Sequence, residues 1–173
     1  MATETSLESG RVRAPSAGSE RLTFERRWTR PGVDPFSEIE WELRTARISA
    51  PDGSTIFEQR DVEVPKQWSA SATNVVVSKY FRGRASSPSR ERSVRQMIGR
   101  VVDTISQWGR ADGYFRDEES ASAFAAELQH LLLHQAASFN SPVWFNVGAH
   151  ERPQCSACII NSVEDTLAST LDL

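Results

Sequence analysis

A chain of 173 residues with 39% apolar and 25% charged side chains has the composition of one ordinary globular domain and enough apolar material for a core. Its formal net charge of -3 and pI near 5.7 leave no basic excess, which argues against nucleic-acid binding driven by counterion release. No apolar run of about 18 residues occurs, and Met1-Ala2-Thr3-Glu4 lacks the charged-then-apolar pattern of a secretory signal, so a cytoplasmic protein is expected.

Residues 1–20 hold Ser, Gly, Ala and charge with almost no large apolar side chain. Such a segment cannot offset the entropy of ordering, and a disordered leader is expected. From 21 to 137 the pattern is that of an N-terminal module. Phe24, Trp28 and Phe36 stand among Arg26, Arg27 and Arg30, interrupted by Pro31-Gly32 and Pro35. This reads as an irregular segment pinned to the domain by its aromatics, in preference to an arm that docks on another surface. Ile39, Trp41 and Leu43 then alternate with Glu40, Glu42 and Arg44, the period of a half-buried strand. The change of phase at Thr45-Ala46 predicts a bulge. Pro51-Asp52-Gly53-Ser54 is a turn signal, and Thr55 to Val64 is the return strand of a hairpin.

Pro65 ends that strand, and Lys66 to Phe81 reads as a helical or mixed segment with Trp68, Val76 and Tyr80 inward and Lys79 outward. The Val75-Val76-Val77 triplet leaves helix and strand both open, because β-branched residues lose rotamer freedom in a helix. Arg82, Arg84, Arg90 and Arg92 lie among Gly, Ser and Pro. A solvated linker is expected there rather than a phosphate-binding loop. Val94, Met97, Ile98, Val101, Val102, Ile105 and Trp108 recur at helical spacing, with Ser93 as a cap and Gly109 as a stop. After a turn around Gly113, a second helical face runs through Ala121, Phe124, Ala125, Leu128, Leu131, Leu132 and Gln135. Two such faces on a short connection pack as a helical hairpin.

The stretch most charged with chemistry comes last: Phe139-Asn140-Ser141-Pro142-Val143-Trp144-Phe145-Asn146-Val147-Gly148, then Pro153-Gln154-Cys155-Ser156-Ala157-Cys158-Ile159-Ile160. Asn-Ser-Pro is turn-prone and sets backbone groups and a hydroxyl at the mouth of a site. Ile159-Ile160 reads as the start of a buried strand. Cys155 and Cys158 are the chain's two cysteines. As a thioredoxin-type pair they lack both a helix start and a βαβ pattern. As zinc ligands they need His134 and His150, which stand too far apart in sequence for a compact motif. Glu164 and Asp165 read as a helix start or a solvated loop, not as an acid/base pair.

A third reading of the cysteines comes from likeness. The segment from Phe139 to Thr166 resembles the entrance to the catalytic barrel of the adenosylcobalamin-dependent (class II) ribonucleotide reductases. The resemblance runs back through Ser93-Val94-Arg95-Gln96, Ala72-Thr73-Asn74 to Arg82-Gly83, Asp61-Val62-Glu63-Val64-Pro65, Phe57-Glu58-Gln59 and Thr29-Arg30-Pro31-Gly32. It implies an α+β chain in which a hairpin and helices lead, within 138–173, into the first strand of a ten-stranded α/β barrel. It implies that Cys158 is one of two cysteines that reduce the substrate, its partner lying on a strand much further along. Ser141 then places a hydroxyl near the nucleotide, Ala157 and Cys158 line the substrate pocket, and Cys155 is a passive neighbour. The implied cofactor is adenosylcobalamin, which starts radical chemistry on the ribonucleotide, and the implied reductant is a thioredoxin-like dithiol protein. No third cysteine and no recognisable cobalamin-binding segment occur before Leu173, so a fragment without turnover of its own is expected. The alternative is a noncatalytic module that binds a nucleotide or a partner chain.

Overall fold

In the computed structural model, residues 21–85, 87–158 and 165–168 are described. The expected leader, residues 1–20, and the expected strand at Ile159-Ile160 lie outside them. Strands β1 (Trp41–Ser49) and β2 (Thr55–Pro65) form an antiparallel hairpin, followed by helices α1 (Ala70–Lys79), α2 (Val94–Ala111), α3 (Glu118–Leu133) and α4 (Ser141–Asn146). The hairpin turns at Asp52-Gly53, where Gly53 takes φ +84° and Asp52 Oδ1 accepts from the Ser54 N–H. Helix α1 packs on β1, and α2 lies between β2 and α3. No helix among the described residues is long and apolar enough to cross a membrane.

The bulge lies where the change of phase predicts it, but the extra residue is on the other strand. Arg44 pairs with Val62 and Ala46 with Gln59, so β2 spends one more residue than β1, and Asp61 there adopts φ +55°. The inward face of β1 also differs from expectation. Val62 and Val64 are fully buried and lie opposite Arg44 and Glu42. The charged parity of β1 therefore faces α1, whereas Leu43 is 68% exposed. Arg44 tolerates this because its guanidinium donates to the carbonyls of Trp68 and Lys66 and to Thr73 Oγ1. Alternation reveals two faces of a strand; it does not say which one a well-partnered arginine occupies.

Ser69 caps α1 by accepting from the Ala72 N–H, and Thr73 and Val77 turn inward. Tertiary burial of Val77 thus decides the ambiguous valine triplet in favour of helix. Trp68 is buried with its indole N–H on the Leu133 carbonyl at 2.9 Å, tying the approach to α1 to the end of α3. The arginine-rich stretch is not a plain solvated linker. Arg90 donates to the carbonyls of Val77, Phe81 and Gly83 and to Gln59 Oε1, and it lies over the rings of Phe57 and Phe81. Composition reads as solvation because it cannot show that α1 ends there with carbonyls in need of donors.

Helix α2 starts at the Ser93 cap, as its spacing predicts, and buries Val94, Met97, Ile98, Val101 and Val102. Trp108, expected on that face, is 41% exposed. Gly109 does not end the helix, which continues to Ala111. A Cβ at Gly109 would sit 2.5 Å from the Phe115 ring, so the glycine permits a close crossing rather than a stop. Helix α3 is capped by Asp117, whose carboxylate accepts from the Ser120 N–H at 2.8 Å. It packs against α2 as a helical hairpin and ends at Leu133; Gln135 lies beyond it at φ +56°.

The segment before the hairpin is held by its aromatics, with Phe24 edge-on to Phe115 and Phe124 and Phe36 buried beneath Trp41. A second anchor was not foreseen. Glu127, buried on α3, accepts hydrogen bonds from the backbone N–H groups of Arg27, Trp28 and Thr29 and from Thr29 Oγ1.

Candidate functional site around helix α4

The Asn-Ser-Pro sequence builds a helix cap rather than a free turn. Asn140 Oδ1 accepts from the Val143 N–H, and Pro142 occupies the first turn, where its missing N–H costs nothing. The resulting helix α4 has 6 residues, too few to be stable alone. Trp144 anchors it: the ring is buried, and its indole N–H donates to the Phe139 carbonyl at 3.1 Å and Ser138 Oγ at 3.3 Å. At the other end, Arg100 on α2 donates to the Val147 carbonyl at 2.6 Å and to Glu91 at 2.7 Å. Gly148, at φ +70°, lies so close to Arg100 and Thr104 that a Cβ would clash with both.

Ser141 stands at the start of α4, and its Oγ is 3.0 Å from the Tyr80 hydroxyl at the end of α1. Tyr80 in turn stacks on Phe145, with ring centroids 5.2 Å apart. The cysteine segment crosses the same short helix. Asn146 Nδ2 donates to the Gln154 carbonyl at 2.7 Å, and Asn140 Nδ2 donates to the Cys155 carbonyl at 3.1 Å. Gln154 closes a local turn through its side-chain oxygen to the Ser156 N–H at 2.9 Å. Helix α4 thus brings Ser141 and the cysteine segment onto one rigid support.

Cys155 is half-buried against the core with its thiol 3.7 Å from the Pro153 carbonyl, and both cysteines are free. Ala157 and Cys158 are exposed, at the edge of the described residues. The strand expected to follow them lies outside those residues, as does Glu164; Asp165 is exposed. The histidines weighed as zinc ligands sit in different surroundings. His134 packs on His130, and His150 lies 3.5 Å from Arg82. Among the described residues, no three His, Cys, Asp or Glu side chains gather as metal ligands.

Beside α4 lies an apolar cavity of about 190 Å³, lined by Trp68, Tyr80, Met97, Phe139 and Trp144 among others. Its walls are mostly apolar and carry no lysine, arginine or histidine to meet a polyphosphate. Asn140 was placed here as part of the Asn-Ser-Pro turn, though not as a helix cap, whereas the roles of Asn146, Tyr80 and Arg100 in this region were missed. Asn140 had a readable signal, a capping residue followed at once by Ser-Pro and an aromatic run. Tyr80 and Arg100 depend on partners 61 and 47 residues away, whereas Asn146 bonds Gln154 only 8 residues on.

The class II vitamin B12-dependent ribonucleotide reductase family model matches residues 42–135. A vitamin B12-dependent ribonucleotide reductase of Streptomyces coelicolor is 48% identical over 165 residues, covering 95% of this chain and 17% of that protein. Its counterpart in Streptomyces avermitilis is 47% identical over 172 residues, covering 98% of this chain and 18% of the relative. One from Rhodopirellula baltica is 46% identical over 171 residues, covering 82% and 16% respectively. The chain spans about a sixth of the length of these relatives. It belongs to the class II vitamin B12-dependent ribonucleotide reductase family, of which it represents the N-terminal portion.

Proposed function

We propose that this chain is the N-terminal part of an adenosylcobalamin-dependent reductase that converts ribonucleotides to deoxyribonucleotides for DNA synthesis. Residues 21–137 form its N-terminal module, and 138–173 open the catalytic barrel. Cys158 is one of the two thiols that reduce the sugar, Ser141 offers its hydroxyl to the nucleotide, and Ala157 with Cys158 lines the substrate pocket. The observation that supports this reading is the mounting of Ser141 and the Gln154–Cys155 backbone on the single helix α4, in a chain nearly all of which is matched by reductases.

The chemistry balances with one dithiol. Replacing the 2'-hydroxyl by hydrogen consumes two electrons and two protons; the hydroxyl leaves as water, and two thiols close to a disulfide. Cys158 supplies one thiol, and a cysteine from the rest of the reductase supplies the other. A thioredoxin-like reductant then reopens the disulfide, in a cytoplasmic setting where thiols stay reduced. Adenosylcobalamin supplies radical initiation in this family. The cavity beside α4, about 190 Å³, is far too small for a corrin, so no described residue is assigned to the cofactor and no step is derived through it.

The test is reconstitution. Joining this chain to the remaining portion of a family reductase, in one polypeptide or in trans, and supplying cofactor, dithiol and ribonucleotide yields deoxynucleotide, whereas the chain alone yields none. Cys158→Ser abolishes multiple turnover. Full turnover by the Cys158→Ser protein, or none from the joined wild-type protein, supports a noncatalytic binding module instead.

A further inference from the structure

We propose that Asn140 and Asn146 are positioning residues that set where the Cys158 thiol sits relative to Ser141. The proposal deepens the reductase reading and rests on it. Its basis is a pair of side-chain amides at opposite ends of α4 that grip adjacent carbonyls, Asn140 on Cys155 at 3.1 Å and Asn146 on Gln154 at 2.7 Å. Each amide approaches through its NH₂ group. For Asn140 the assignment is forced, because its oxygen is already engaged by the Val143 N–H and a carbonyl can only accept.

Helix α4 cannot drift, since Trp144, the Arg100 bond to the Val147 carbonyl and the tight approach at Gly148 hold it to α2. Ser141 is part of the same helix and is steadied by the Tyr80 hydroxyl. The two amides act on the carbonyls of Cys155 and Gln154, three and four residues upstream of the thiol, and so set the register in which the segment leaves α4. A sulfur that must meet one carbon of a ribose gains from such a fixed approach, because misplacement by about 1 Å costs on the order of 100-fold in rate.

Asn140→Asp separates positioning from stability. Aspartate caps a helix as well as asparagine does, so α4 is retained, but its second oxygen now faces the Cys155 carbonyl with no proton to offer. In the 173-residue chain with Cys155→Ala and Gln107→Cys, nitroxide labels at positions 107 and 158 are expected to give a narrow distance distribution. Asn140→Asp broadens it with the melting temperature unchanged within about 2 °C, and Asn146→Asp broadens it as well, whereas Asn140→Ala also lowers the melting temperature. In the joined reductase, the two aspartate variants lower kcat at least tenfold and leave KM within twofold. An unbroadened distribution, or an unchanged kcat, overturns the positioning role. Failure of the reductase reading itself shows differently, as undiminished turnover by Cys158→Ser.

Discussion

The Glu127 carboxylate on α3 accepts a 2.7 Å hydrogen bond from Thr29 Oγ1 and is bonded as well by the three successive N–H groups of Arg27, Trp28 and Thr29. One buried side chain therefore does for the N-terminal segment what a partner strand would otherwise do.

Glu127→Ala leaves those donors without an acceptor and is expected to cost about 2 to 4 kcal/mol, because buried unmet donors carry the full desolvation penalty. Urea unfolding measures the loss, and early tryptic cleavage at Arg26 or Arg27 reports release of the segment. The anchor is also sensitive to acid. Burial acts to raise the carboxyl, but the bonds from Thr29 Oγ1 and the three N–H groups outweigh it and hold it below its ordinary 4.5. A carboxylate depressed on folding adds stability that is fully present above the unfolded value and is lost as pH falls through the folded one. Amide resonances of Arg27 to Thr29 should hence be constant above about pH 4.5 and shift only below it.

Gly109→Ala tests the crossing of α2 and Phe115. In an open helix this change stabilises by about 1 kcal/mol. Here the new Cβ would lie 2.5 Å from the ring, and overpacking of that kind costs about 1 to 3 kcal/mol. A fall in melting temperature is expected, and a rise would show that the ring moves aside freely.

Arg90→Lys should destabilise by about 2 kcal/mol although the charge is kept. Lysine has no planar fork with which to span the carbonyls of Val77, Phe81 and Gly83 together with Gln59. Burial pushes the Arg90 guanidinium below its ordinary pKa, so a more easily deprotonated amine is also a poorer occupant. Arg84→Lys, at an exposed position, is the control and should stay within about 0.5 kcal/mol of the parent.

The orientation of the hairpin is checked by a pair of truncations. Leu43→Ala removes an exposed side chain and should change stability by less than about 0.5 kcal/mol, whereas Val62→Ala empties a fully buried position and should cost about 1 to 3 kcal/mol. Equal losses in equilibrium unfolding would mean that Leu43 faces the core after all.

Much of the architecture is written in local order. The turn at Asp52-Gly53, the Ser93 cap and the apolar faces of α2 and α3 depend on residues within a few positions of each other, and periodicity and capping chemistry report them directly. The family likeness was legible for the same reason, since Asn-Ser-Pro and the cysteine segment are each a short unbroken motif. What the sequence left open needed partners that periodicity and capping rules do not pair. The inward face of β1 was decided by carbonyls that Arg44 meets around Trp68, the role of Gly109 by the later return of Phe115, and the placement of the cysteine segment by amides on α4. A residue type advertises which bonds it can make, but only the folded chain brings up the group that receives them.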